Sequence, residues 1–409
     1  MTTSKVVLAY SGGLDTSAIV PWLIEHYHCE VHCVVADVGQ GADELVGVED
    51  KAARSGAASC IIADLKDIFV TEFIYPTLKS GAIYEGHYLL GTSMARPAIA
   101  RALVDRALQI NADAISHGCT GKGNDQVRFE HAVYALAPHL SIIAPWREWS
   151  MQGRSDLLAY VQQKNIPVQA SAEKIYSRDR NLWHISHEGG VLEDPWNAPP
   201  EDVWMLTRSI ADAPDQPEDI TIFFDQAIPT AVDHNTFTPA ALIEHLNERA
   251  GIHSVGRIDI VENRVVGMKS RGCYETPAGT LLVAALESLC ELVLDREARR
   301  LRDELALNLS HVVYEGKWFN NAAREALFAA IDALMHRATG EVVLRMHKGS
   351  AMPIQRRSPH SLYDAEMASF EAEQVYKQAD AEGFIRLFSL PQRIAAAKQL
   401  APNAPQEQH

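Results

Sequence analysis

The sequence predicts an α/β protein. A parallel sheet with helices on both faces should fill the first segment, an α+β segment should follow, and a C-terminal arm should end the chain. Three observations predict this. Short apolar runs alternate with helical stretches from Lys5 to Lys164, the pattern of a parallel sheet covered on both sides. That alternation stops at a run of loops holding Pro195, Pro199, Pro200, Pro214 and Pro217. Finally, residues 366–409 carry few core-forming runs apart from Pro391–Leu400, an amphipathic stretch of the kind that packs on another subunit.

The elements follow in order. Lys5–Tyr10 is expected as a strand, Thr16–His26 as a helix, Glu30–Asp37 as a strand and Asp43–Ser55 as a polar-faced helix. Cys60–Asp64 is a strand, with a helical stretch from Lys66. Thr92–Gln109, rich in Ala, Arg and Leu, is a long helix. Ala112–His117 (strand), Asp125–Leu136 (helix), Leu140–Ala144 (strand) and Gln152–Lys164 (helix) complete the segment, and Pro167 marks its end. The segments are therefore expected at 1–167, 168–365 and 366–409. Strands at Ile220–Phe224, Thr230–Asp233, Gly256–Glu262 and Val342–His347 and helices at Thr280–Ala306 and Asn321–Arg337 give the second its α+β character. Residues 401–409 read as a frayed tail.

Composition narrows the function classes. With 409 residues the chain is expected to form two or three packed units. Its 37 basic against 53 acidic side chains give a formal charge of −16, which disfavours nucleic-acid and anionic-lipid partners. No apolar run approaches the ~18–20 residues that span a bilayer, and the N-terminus lacks a secretory pattern; a cytoplasmic protein is expected. The six cysteines are irregularly spaced without C-x-x-C, as free thiols would be. The run His26-Tyr-His28-Cys29-Glu-Val-His32-Cys33 is rich in metal-capable groups, but it spans a helix end and a strand start, where they diverge; no metal site is expected there.

The sharpest motif is Ser11-Gly12-Gly13-Leu14-Asp15-Thr16-Ser17, between the first strand and the first helix. A helix N-terminus at a strand's carboxyl end offers free N–H groups and a positive dipole end, suited to phosphate. The two glycines permit close backbone approach, and three hydroxyls add donors. Asp15 beside phosphates requires an intervening cation, pointing to Mg²⁺ on a polyphosphate. Neither the Walker A spacing nor the dinucleotide fingerprint occurs. The loop resembles the PP-loop of ATP pyrophosphatases, which cleave ATP between the α and β phosphates. A second run, Ser116–Arg128, also follows a strand and opens a helix, so it should meet the same sheet edge. Thr120 and Asn124 can hydrogen-bond a carboxylate, Asp125 can accept from an ammonium, and Arg128 can pair with a carboxylate. The third run, Gly256–Pro277, would by itself be ambiguous, since charged residues on a strand-turn are usually a solvated face.

Taken together these runs, with Tyr88-Leu-Leu-Gly-Thr-Ser93 and Ala144-Pro145-Trp146-Arg147, resemble the argininosuccinate synthase family over nearly the whole chain. The resemblance implies a nucleotide-binding first domain, a citrulline-binding synthetase domain, an oligomerisation arm and a homotetramer. It implies ATP contacts at Ala9, Tyr10, Ser11, Gly12, Gly13, Leu14, Asp15, Thr16, Ser17, Ala36 and Gly118. Aspartate would meet Thr120, Asn124 and Asp125; citrulline would meet Tyr88, Ser93, Asn124, Arg128, Ser177, Ser186, Glu262 and Tyr274. Arg96, one turn after Ser93, is a further candidate for an aspartate carboxylate. Asp15 and Asp125 carry the expected chemistry, through the cation and the ammonium. Cys119 stands where a small apolar residue is usual, and residues 177–187 match more loosely. Two alternatives stay open: another PP-loop enzyme, acting on tRNA or a different amide, and a nucleotide sensor without catalysis.

Overall fold

The computed structural model describes residues 3–121, 123–166, 176–368 and 377–400. The chain divides into two compact units, residues 1–360 and 361–409.

In the larger unit, the first elements are β1 (Lys5–Ala9), α1 (Leu14–Tyr27), β2 (Glu30–Asp37), α2 (Ala42–Leu45), α3 (Val48–Arg54), β3 (Ser59–Asp64) and α4 (Lys66–Phe69). A π-helical turn, Val70–Ile74, leads to α5 (Tyr75–Ser80), α6 (Gly91–Ile110), β4 (Ala114–Ser116), α7 (Asp125–Leu136), β5 (Ser141–Ile143) and α8 (Arg154–Gln163). The five strands form one parallel sheet in the order β3-β2-β1-β4-β5. Val6 and Leu8 of β1 pack with Ile19, Val20 and Leu23 of α1 on one face, whereas Val7 packs with Leu103 of α6 and Phe129 of α7 on the other. The period-2 alternation thus feeds two helical layers. The strand order reverses between β1 and β4, so a crevice opens at their carboxyl ends.

After residue 175 come β6 (Ser177–Arg180), β7 (Ile185–Glu188), β8 (Glu218–Asp225), β9 (Ile228–Val232), β10 (Asn235–Thr236), α9 (Pro239–Ile252), β11 (Arg257–Asn263) and β12 (Lys269–Glu275). The unit ends with α10 (Pro277–Val293), α11 (Arg296–Tyr314), α12 (Ala322–Met335), β13 (Gly340–His347) and β14 (Ser350–Arg357). Two antiparallel sheets result, β10-β9-β8-β13-β14 and β11-β12-β7-β6. The largest core joins them to the first segment: Phe69, Phe73, Leu90 and Met94 pack in one cluster with Leu246, Leu282 and Leu344.

Local chemistry explains where elements differ from expectation. The helix expected over 43–55 is broken, because Val46 is extended and Gly47 adopts φ +70°. The helix expected over 280–306 is two helices: Leu294 is extended, and the Asp295 carboxylate caps α11 by accepting from Ala298 N at 2.8 Å. Helix α9 was not anticipated, although Thr238 at its N-cap followed by Pro239 is a start signal.

The smaller unit carries α13 (Ala365–Ala368), α14 (Asp380–Phe388) and α15 (Leu390–Leu400). Phe384 and Phe388 stack at 5.3 Å on α14, and both are exposed, as are Ile385 and Leu387.

Candidate active site

Strand β1 delivers its loop to the crevice. Ser11 N and Oγ both lie within hydrogen-bond reach of Thr16 Oγ1, and Gly13 N donates to Ser11 Oγ at 3.4 Å. Behind them Tyr10, buried, contacts Ser17 through its hydroxyl at 3.2 Å. Gly12 needs to be glycine: its φ is +69°, and a Cβ would stand 2.9 Å from Val48 Cγ2. Lys51 donates to its carbonyl. Asp15 is exposed at the first turn of α1. Ala36 lies near the carboxyl end of β2, the next strand.

The loop after β4 closes against this one. A Cβ on Gly118 would stand 3.3 Å from Thr16 Cγ2. His117 accepts from Cys119 N at Nδ1, so its Nε2 carries the proton donated to Glu130 at 3.2 Å. Both ring nitrogens are engaged, which makes His117 a brace for the turn at Gly118. Burial pushes the Cys119 thiol up, and Asp125 adds to the effect, which disfavours a nucleophilic thiolate. Thr120 is exposed, and its carbonyl takes the Gly123 amide at 3.4 Å. Gln126 donates to Gly121 O, tying the loop to α7.

Helix α7 then presents Asn124, Asp125 and Arg128. Asp125 lies between two guanidinium groups: Arg96 Nη2 donates at 2.8 Å and Arg128 Nη1 at 3.2 Å. Burial works to raise this carboxyl, but Arg96 and Arg128 outweigh it and hold it below the usual carboxylate range. Arg96 also donates to Asp179 at 2.7 Å, and Thr92 Oγ1 lies 2.9 Å from both Asp179 and His184 Nε2. His184 stacks on Tyr274 at 5.6 Å, and burial pushes its pKa down to about 4.

The sheet β11-β12-β7-β6 supplies the opposite wall. Tyr274 donates to Glu262 Oε1 at 2.9 Å and Tyr314 to Oε2 at 3.1 Å. Burial raises the Glu262 carboxyl despite Tyr274, Arg128 and Tyr314, which favour its ionised form. Tyr88, buried, takes the Thr92 amide on its hydroxyl and packs 4.9 Å from Tyr274. The Ser93 hydroxyl is buried with no partner in hydrogen-bonding geometry among the described residues. Ser186, opposite Tyr274 in the sheet, reaches Asp179 O at 3.5 Å. Ser177 is exposed at the outer strand, opposite Glu188, which pairs with Arg264 at 2.6 Å.

The structure thus joins Tyr88, Asn124, Asp125, Arg128, Glu262 and Tyr274 into one hydrogen-bonded or stacked cluster, with Ser93 buried beside it. It leaves Ser177 and Thr120 at the rim. Sequence reasoning missed Thr92, Asp179, His184, Glu188 and Tyr314. Thr92 was legible in the quoted Tyr88–Ser93 run; Tyr314 had no local signal. Of the metal-capable run at 26–33, His26 stacks on Trp22, Cys29 donates to Leu23 O, His32 meets Ser59, and Cys33 is buried in the core.

A parallel sheet with a di-glycine, hydroxyl-rich loop at its switch point defines a PP-loop nucleotide-binding protein. Family models agree: the arginosuccinate synthase N-terminal HUP domain matches residues 5–167, and the arginosuccinate synthase C-terminal domain matches residues 176–395. The chain is 58% identical to the argininosuccinate synthase of Idiomarina loihiensis over 97% of its own length and 98% of that protein's. It is 58% identical to that of Aeromonas hydrophila, over 97% and 96%, and 59% identical to that of Psychromonas ingrahamii, over 95% and 97%. The chain belongs to the argininosuccinate synthase family.

Proposed function

We propose that this enzyme joins citrulline to aspartate at the expense of ATP, giving argininosuccinate, AMP and pyrophosphate, in the crevice where β1 and β4 end. The enzyme is a carbon–nitrogen ligase of arginine biosynthesis. The observation that carries the site assignment is the convergence on that crevice of a phosphate loop and a zwitterion-reading cluster: Arg128 and Asn124 for a carboxylate, and Asp125 and Glu262 for ammonium groups.

The reaction has two steps. The ureido oxygen of citrulline attacks the α-phosphorus of ATP; an O–P bond forms, and pyrophosphate leaves. The α-amine of aspartate, having lost its proton, then attacks the ureido carbon; a C–N bond forms, and the C–O bond breaks as AMP leaves. Ser11, Gly12, Gly13, Thr16 and Ser17 hold the polyphosphate with N–H and hydroxyl donors, with Ala9, Tyr10, Leu14, Ala36 and Gly118 lining the nucleotide. Tyr88, Ser93, Ser177, Ser186 and Tyr274 complete the citrulline pocket, and Thr120 joins Asn124 and Asp125 at aspartate. Positioning dominates the second step. His117 is engaged at both nitrogens, which argues against it as a base.

Mg²⁺ enters with the nucleotide. No group of three or more His, Cys, Asp or Glu able to hold a metal occurs among the described residues, but an exposed Asp15 at the loop fits an ion held mainly by phosphate oxygens and water. Bound there, the ion would neutralise developing phosphate charge.

Segments 1–167, 168–365 and 366–409 act as nucleotide-binding domain, synthetase domain and oligomerisation arm. The exposed apolar residues of α14 support association through the arm, and the family resemblance is the basis for proposing a homotetramer. The −16 charge argues against nucleic-acid partners, no described helix is long and apolar enough to cross a membrane, and the cytoplasm is the proposed location. Citrulline carrying ¹⁸O in the ureido group tests the chemistry. Label recovered in AMP is the expected result; label retained in the amino-acid product contradicts the adenylated intermediate.

A further inference from the structure

Tyr314 closes α11, far in sequence from every residue that the family resemblance implicates, and is 1% exposed. It hydrogen-bonds three of them and meets a fourth, Tyr88, edge-on at 6.0 Å between ring centroids. Its hydroxyl lies 2.9 Å from Asn124 Nδ2 and 3.1 Å from Glu262 Oε2, its carbonyl accepts from Arg128 Nε at 2.8 Å, and the Arg128 guanidinium lies 4.9 Å from its ring centroid.

The direction of these bonds follows from the groups. Asn124 Oδ1 accepts from Val265 N at 2.9 Å, so the amide faces Tyr314 with its NH₂. That nitrogen only donates, so the phenol oxygen accepts from it and spends its own proton on Glu262. Burial, the largest influence, raises the Tyr314 hydroxyl, which keeps it a donor. Each Glu262 oxygen has one tyrosine donor and retains a lone pair.

The ring cannot drift. Tyr84 stacks on it at 3.6 Å between centroids and 6° between planes, and Tyr84 itself donates to Asn263 O, next to Glu262. Gly316 turns the chain just beyond, at φ +76°, so closely that a Cβ would stand 2.7 Å from Arg128 Cα. The end of α11 is therefore pressed onto α7 at Arg128.

We propose that Tyr314 is a positioning residue for citrulline: it fixes Arg128, Asn124 and Glu262 at the spacing that one amino-acid zwitterion requires, without contacting the reacting atoms. The proposal rests on the citrulline assignment of those three residues.

The test measures KM for citrulline, aspartate and ATP separately, with Tm, for the full-length enzyme and Y314F, E262Q and Y84L. Y314F keeps the ring and removes only the hydroxyl. Its citrulline KM is expected to rise on the order of tenfold, the effect of losing one charge-assisted hydrogen bond; the aspartate KM, which shares Asn124, should rise less, and the ATP KM should stay within about twofold. Y84L, which frees the ring without touching the three residues, should move citrulline KM in the same direction by about threefold, and it tests the idea should Y314F not fold. An unchanged citrulline KM, or an equal rise in all three, overturns the proposal. E262Q separates the two levels. If it raises citrulline KM while Y314F does not, only the role of Tyr314 fails; if it leaves citrulline KM unchanged, the assignment beneath it fails as well.

Discussion

Arg96 Nη2 donates to Asp125 Oδ2 at 2.8 Å, so the carboxylate assigned to the aspartate ammonium already holds a cation. Arg128 occupies its other oxygen. Two guanidinium neighbours hold Asp125 below the usual carboxylate range, and its charge balances those of Arg96 and Arg128. D125N removes that charge. We expect aspartate turnover (kcat/KM) to fall at least about 100-fold, as when a buried charge-paired group is lost. A variant with near-normal turnover and aspartate KM would refute the role.

Glu262 titrates in the opposite sense. Burial lifts its carboxyl above the ordinary value, although two tyrosine hydroxyls and Arg128 pull it back. Only the ionised form can pair with an ammonium. As pH falls through this raised value, Glu262 takes up a proton and citrulline kcat/KM drops, at higher pH than a solvated glutamate would cause. Y274F removes one of the two donors that favour the carboxylate, so the acid limb of that profile should move to still higher pH. An acid limb left in place by Y274F would remove Glu262 from the citrulline site.

Glu275, next to Tyr274 but on the opposite face of β12, is structural. It is fully buried and accepts from Met205 N, Leu206 N, Thr207 N, Thr207 Oγ1 and His187 Nε2. Arg178 Nε donates to His187 Nδ1, so the proton of His187 is on Nε2. Burial works to raise the Glu275 carboxyl, but His187 and the backbone donors outweigh it and hold it below its ordinary value. A depressed acid gives stability that is complete above the unfolded value, about 4.3, and that is lost as pH falls through the folded one. E275Q strands donors of the 203–208 loop, since an amide nitrogen accepts nothing. It should cost about 3 kcal/mol, lower Tm by several degrees and abolish that share of the acid dependence. A Tm equal to wild type would contradict this account.

Gly12 tests the phosphate loop. G12A forces a side chain into a positive-φ position and within 2.9 Å of Val48 Cγ2. The strain is about 1–2 kcal/mol, and the loop must shift to relieve it. ATP KM should rise about tenfold with citrulline KM little changed. Equal changes in both would mean that the loop does not address the nucleotide alone.

Most of the parallel half of the fold was legible in the sequence, apart from the break at Val46–Gly47. Strand Glu30–Asp37 and helix Asp125–Leu136 have the expected ends, because buried strands read as continuous apolar runs and Asn-Asp marks a helix start. Strands β6, β7, β10, β12 and β14 escaped notice. Charged residues such as Arg178, Lys269 and Arg271 interrupt their apolar pattern, and the pairing of β12 with β7 joins distant segments. The site divides likewise. The loops at β1 and β4 announce themselves by glycine and hydroxyl density, whereas Asp179, His184 and Tyr314 join through tertiary packing that no local window contains.

The measurement that tests the central claim most directly is AMP and pyrophosphate release from ATP, with citrulline and aspartate omitted in turn. The account predicts full release of both products only when citrulline and aspartate are present together. Release with neither amino acid, or release that depends on tRNA, would contradict it, and the roles assigned to Arg128, Glu262 and Tyr274 would fall with it.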